Sequence, residues 1–217
     1  MSWLRMHPFV YFLLAPLIFS FGVYMLVTEQ QKEAGKAAAL AGKAPAAVVI
    51  EQFDRTRNIG PANEVHIVGQ VDLSRMMELT ETKRGVERGR WNVAPIYAVG
   101  AKDNTGPVLG VFDQHGSISD AQLSSMIIGN GAFAPIMKIN GQITTEFKDI
   151  RAVEKALKDP KLADNALLVD PFEDGRAAGL AASGESQTIA LVIMGVAVAV
   201  LGYGWFLFVR RRRQKEE

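Results

Sequence analysis

The chain has no cysteine among its 217 residues and only three histidines. The first absence excludes disulfides, thiolate catalysis, iron–sulfur clusters and cysteine-ligated zinc. The second leaves little for a histidine-built centre. A metal site needs three or four converging ligands, and His7, His66 and His115 lie far apart in the sequence. Strong charge of either sign is missing too. The formal net charge is +1, so the composition gives no reason to expect a nucleic-acid partner. There is no Gly-x-Ser-x-Gly nucleophile elbow. Gly129-Asn130-Gly131 follows a predicted helix, where it reads as a C-cap and not as a phosphate cradle. The residues therefore predict no catalytic centre, no metal and no cofactor.

What is present is apolarity gathered into two runs. The mean hydropathy is +0.09 although 22% of residues are charged. Phe9 to Val27 and Thr188 to Val209 contain no charge. At 1.5 Å per residue they reach about 28 and 33 Å, enough for a hydrocarbon core of about 30 Å. The first run is too long, and too far from any small-residue cleavage site, to be a secretory leader. Both are expected to be transmembrane helices. Arg210, Arg211, Arg212 and Arg213 close the second run and act as topology determinants, because clustered arginine stays cytoplasmic. The expectation is a multi-pass protein of an inner (plasma) membrane, with both termini cytoplasmic and the central domain periplasmic or equivalent.

The chain then divides into a head (1–8), a first span (9–28), a tether (29–45), an external domain (46–172), a linker (173–187), a second span (188–209) and a basic tail (210–217). Residues 29–187 carry 18 Lys and Arg against 21 Asp and Glu, a net of −3. Strand patterns fall at 48–53, 65–71, 91–99, 108–112 and 166–169. Asn140-Gly141, between Ile136–Ile139 and Gln142–Thr145, predicts a hairpin turn. Pro95 and Pro135 predict strand edges or starts. Helices are predicted for Ser119–Ile128, with Ser119 as N-cap, and for Asp149–Lys158. The fold class is α+β: two transmembrane helices flank one strand-rich external domain, with which a small five-stranded barrel of the OB type is also compatible.

Three features bear on function. Thr80 to Trp91 gathers Lys83, Arg84, Arg88 and Arg90 ahead of Trp91. This reads as a solvated loop, or as a contact patch for an acidic partner or lipid headgroups. In the second span Gly195, Ala199 and Gly202 offer a small-residue face on which another helix can pack. Pro16 interrupts the first span, and neither span carries the ionisable groups a transport pathway needs. His66 reads as a solvent-facing strand residue and His115 as part of a turn. Together these predict a non-enzymatic accessory, scaffold or assembly subunit of a larger inner-membrane complex, of respiratory or transport type. Its partners would be other membrane subunits and the lipid bilayer. The competing expectation is a ligand-binding or sensing module, which requires a concave pocket of a few hundred Å³ with convergent polar groups.

Overall fold

The computed structural model describes residues 8–116, 118–144, 162–182 and 185–213. The architecture is mixed α+β, with two long apolar helices toward the chain ends flanking a strand-rich, barrel-like domain. The chain divides into two compact units, residues 1–35 with 182–217 and residues 36–181.

The first unit is a helix pair. Helix α1 spans Pro8–Ala41, and Gly35 does not end it, so the expected tether is helical as far as Ala41. The last helix, α4, spans Glu185–Arg213. Both are long and apolar enough to cross a membrane. Neither is the core helix of a soluble fold, since Leu17, Leu191 and Val198 are largely exposed. The helices run antiparallel: Tyr11 meets Tyr203 edge-on at 5.4 Å, and Gly22 lies against Met194 and Ala190. Small residues let the two backbones approach. On α4 these are Ala190, Ala197 and Gly204, all buried and seven residues apart.

The second unit is built on strands β1 (Val48–Val49), β2 (Glu64–Val71), β3 (Met77–Lys83), β4 (Val86–Tyr97), β5 (Val108–His115), β6 (Ile127–Asn130), β7 (Pro135–Ile143) and β8 (Leu162–Pro171). The ring runs β2–β4–β5–β8–β7 and closes because β2 also pairs with β7, from Glu64↔Gln142 to Gln70↔Ile136. Closure removes the open edges of a flat sheet. Among the described residues only the β5–β8 and β1–β2 pairings are parallel. Side chains alternate across each strand. One set, including Ile67, Ile96, Phe112, Ile139 and Val169, fills the interior; the other, Val93, Tyr97, Val111 and Leu168, forms a second cluster on the outer face.

Several expectations are corrected. Asn140-Gly141 is no turn, because β7 runs unbroken through it between β2 and β8. The predicted helix at Ser119–Ile128 stops early, as α2 (Asp120–Met126). Ile127 and Ile128 then continue as β6, so Gly129-Asn130 lies in an edge strand and not in a C-cap. Pro95 sits inside β4 without cost, since β3 pairing ends at Val93 and β2 pairing begins at Ile96. Pro135 begins β7 as expected. The helix predicted at 149–158 lies outside the described residues.

The Ser119 cap is present in full. Its side chain accepts from the Gln122 amide while the Gln122 side chain accepts from the Ser119 amide. This reciprocal box orients α2 so that Leu123 and Met126 pack on the barrel interior. Ser119→Ala is expected to lower stability by about 1 kcal/mol, read as a shift of the urea midpoint with unchanged slope.

Part of the segment predicted as a linker is folded against the barrel. After β8 a turn leads into the short helix α3 (Arg176–Gly179), and Leu180 is buried with Phe172 and Ala39. Arg176 donates to both oxygens of Glu64, at 2.6 and 3.0 Å, and to the carbonyls of Ala39 and Gly42. Glu64 is 0% exposed. One guanidinium thus joins the end of α1, the start of β2 and α3.

Candidate functional site

The basic run expected as a loop is a two-stranded ribbon. Lys83 pairs with Val86 across Arg84 and Gly85, whose φ values of 55° and 77° make a two-residue turn of the primed kind. Gly85 supplies one of these left-handed positions without steric cost. The pairing then skips a residue, Thr82↔Glu87 being followed by Glu81↔Gly89, so Arg88 is the extra residue of a bulge. Arg84 and Val86 are exposed at the tip.

The ribbon separates the five predicted contact residues into two groups. Lys83, Arg84 and Arg88 lie toward the tip. Arg90 lies nearer the base and is paired with Glu87 at 3.1 Å and Glu78 at 3.5 Å. The hydrogen bonds it donates to Glu87, and the charges of both carboxylates, raise its pKa above the ordinary arginine value. Trp91 turns into the domain. Its ring covers Gly89, meets His115 at 5.6 Å and joins the outer cluster. Its buried Nε1 has no hydrogen-bond partner among the described residues. Arg84 is thus exposed at the turn, while Trp91 lies below it in the outer cluster.

Sequence reasoning missed a polar cluster at the end of the barrel. His115 is the last residue of β5, not part of a turn, and its Nδ1 lies 3.2 Å from Asp170 Oδ2 on the parallel neighbour β8. Glu173 follows in the next turn. Burial, then the charges of Asp170 and Asp174, push its carboxyl above the usual range, against the opposing pull of His115 and Gln114. No local signal marked this, since Asp113, Gln114 and His115 are all polar although the strand runs through them. The hydroxyl of Ser119 is held by its helix cap and that of Ser125 by the Gln122 carbonyl. Among the described residues no group of three or more His, Asp or Glu is placed to hold a metal ion. His66 is half-buried and bonds the Pro45 carbonyl through Nδ1 at 3.0 Å, where a solvent-facing residue was expected.

A cleft of about 340 Å³ opens beside the 3-10 turn at Ile50–Gln52. Ile50, Phe53 and Leu167 line it together with Glu51, Asp54 and Arg55. Arg55 reaches across to the Asn165 and Ala166 carbonyls at 3.3 and 3.1 Å.

In the helix pair, Gly195, Ala199 and Gly202 are all exposed, and a Cβ at either glycine would meet nothing within 4 Å. At 3.6 residues per turn they lie about 140–200° around the helix from Ala197. The face predicted for packing is thus opposite the face that packs on α1. Arg210, Arg211, Arg212 and Arg213 form the last turn of α4.

No curated protein matches the chain in sequence. Residues 182–216 match the family described as the LPXTG cell wall anchor motif. The nearest counterpart of that pentapeptide here is Leu180-Ala181-Ala182-Ser183-Gly184, with alanine in place of proline and serine in place of threonine. The match takes in the last helix, its terminal arginines and part of the stretch ahead of it that sequence reasoning took for a linker. The expectation of a multi-pass inner-membrane protein with a periplasmic domain is accordingly corrected: the C-terminal segment points to a surface protein anchored at the cell wall.

Proposed function

We propose that the chain is a non-enzymatic, membrane-anchored accessory or assembly subunit, whose two apolar helices insert into the bilayer as a pair and present the barrel to a partner protein. The observation that carries this reading is the second small-residue face of α4. Ala190, Ala197 and Gly204 are used against α1, while Gly195, Ala199 and Gly202 are left bare on the opposite side. Small residues at that spacing admit a neighbouring backbone in a lipid environment, where apolarity alone gives no drive to associate. The barrel is read as an OB-type fold. Its ring order, its parallel β5–β8 pair and the helix between β5 and β7 support that assignment. In OB folds the hairpin of the second ring strand flanks the binding face, and here that hairpin carries Arg84 and Val86 at its tip. An outward-facing barrel also agrees with the cell-wall-anchor likeness of the C-terminal segment.

The test is extraction of native membranes in mild detergent, capture of the full chain and mass spectrometry of what accompanies it. One defined set of partners at constant stoichiometry is expected. Gly195→Leu should reduce their recovery several-fold and leave the α1–α4 pair intact, since among the described residues nothing lies within 4 Å of a Cβ at that position. Recovery of the chain alone would overturn the reading. The competing ligand-binding reading rests on the cleft at Ile50, Phe53 and Leu167, whose volume lies in the range of small-molecule sites. It predicts a ligand-dependent rise in the melting temperature that Leu167→Trp abolishes.

A further inference from the structure

Between the two long helices lies an apolar groove of about 400 Å³, lined by Phe12, Ala15, Pro16 and Phe19 of α1 and by Ala197 and Leu201 of α4. Pro16, inside α1, cannot donate to the Phe12 carbonyl. The groove does not end blindly. Phe12 meets the ring of Phe208 edge-on at 6.4 Å, and Arg210–Arg213 follow within the next turn of α4. From Ala197 to Arg210 is about 20 Å along the helix, close to the half-thickness of a bilayer plus its headgroup layer.

We propose that this groove is a binding site for an anionic phospholipid, with one acyl chain lying along Pro16 and Ala197 and the phosphate held by Arg210–Arg213. Charge decides the class. The helix that forms one wall of this slot ends in four guanidiniums within about one turn; they favour a negative headgroup over a zwitterionic one, and basic groups beside membrane helices select lipids on that ground. The aromatic rings of Phe12 and Phe19 in the lining suit a flexible chain better than a second helix, which would need a row of small residues. The exposed small face of α4 lies elsewhere, so lipid and partner helix do not compete. This inference rests on the membrane insertion proposed above.

The experiment reconstitutes the full chain in vesicles of equimolar phosphatidylglycerol and phosphatidylcholine. The chain is then re-extracted in mild detergent and its retained phospholipid quantified by mass spectrometry. Wild type is expected to retain phosphatidylglycerol selectively, and each Arg→Gln change at 210–213 to lower that retention by up to about fivefold. Leu201→Trp, at an exposed groove position, should abolish retention without touching the arginines. Equal retention of both lipids, no retained lipid, or selectivity that survives L201W would each overturn the proposal. Alkaline carbonate extraction of the same vesicles separates the two readings. A chain that stays in the pellet with no selective lipid refutes the groove alone, whereas a chain that washes off refutes insertion and the groove together.

Discussion

Replacing Arg176 by alanine is expected to lower the stability of the barrel unit by about 3–5 kcal/mol, the range for breaking a buried ion pair from one side. The size follows from what remains. Glu64 has no exposed surface, and its two oxygens accept from Nε and Nη2 of the same guanidinium at 2.6 and 3.0 Å. This bidentate fork satisfies the carboxylate in the geometry that suits it best. The same side chain donates to the carbonyls of Ala39 and Gly42, and the last turn of α1 holds no basic residue to take its place. Alanine strands a buried charge and removes a donor from the Gly42 carbonyl, while the Ala39 carbonyl keeps only the Gly42 amide. Arg176→Lys should fall between, keeping the charge but losing the fork. The double variant Glu64→Leu with Arg176→Met should recover most of the loss, because two apolar groups need no partner. Hydrogen exchange of β2 amides in the full chain reads all three. A loss below about 1 kcal/mol in Arg176→Ala would mean that water reaches Glu64 and that the pair is not the tie described here.

That pair also marks where the sequence stops being legible. The apolar runs from Phe9 and from Thr188 announce their helices because solvent physics acts on composition alone. Ser119 with Gln122 announces a cap because every partner lies within four residues. Glu64 and Arg176 are 112 residues apart, and nothing local marks either as buried. Barrel closure is hidden for the same reason: the β2–β7 and β5–β8 pairings join distant segments, while hairpin signals report only neighbours. The run Thr80–Trp91 reads as a loop because its alternation passes through Thr, Glu and Arg, and its turn is Arg84-Gly85 instead of an Asn-Gly pair. His115 was assigned to a turn because β5 ends in polar residues. Its neighbour Asp170 arrives only with the parallel strand. The pattern singled out Gly195, Ala199 and Gly202 as a packing face, whereas Ala190, Ala197 and Gly204 are the small residues buried against α1, a choice that depends on the register of the partner helix.

Substituting Gly141 by alanine is expected to cost about 3 kcal/mol, at the upper end of what overpacking a tight site produces. In the sequence this glycine is half of an Asn-Gly turn signal; in the fold it lies between two strands, opposite Val65 of β2 and Pro171 of β8. A Cβ there would fall 2.1 Å from the Asp170 carbonyl oxygen and 2.8 Å from the Pro171 Cα. Both obstacles are backbone, so no rotamer change can relieve the clash. Either β8 moves away from β7, opening the ring where Phe172 donates to Asn140, or β7 shifts and breaks its seven-residue register with β2. Gly106→Ala is the control, since a Cβ there meets nothing within 4 Å, and it should change stability by less than about 0.5 kcal/mol. Gly141→Asn separates the two readings of the dipeptide. A turn glycine in the left-handed region tolerates asparagine well, whereas a strand glycine pressed against a neighbouring backbone tolerates it less than alanine. Loss of exchange protection along β8 that grows from alanine to asparagine would establish close approach as the reason for this glycine, and tolerance of asparagine would return Asn140-Gly141 to the role its sequence suggests.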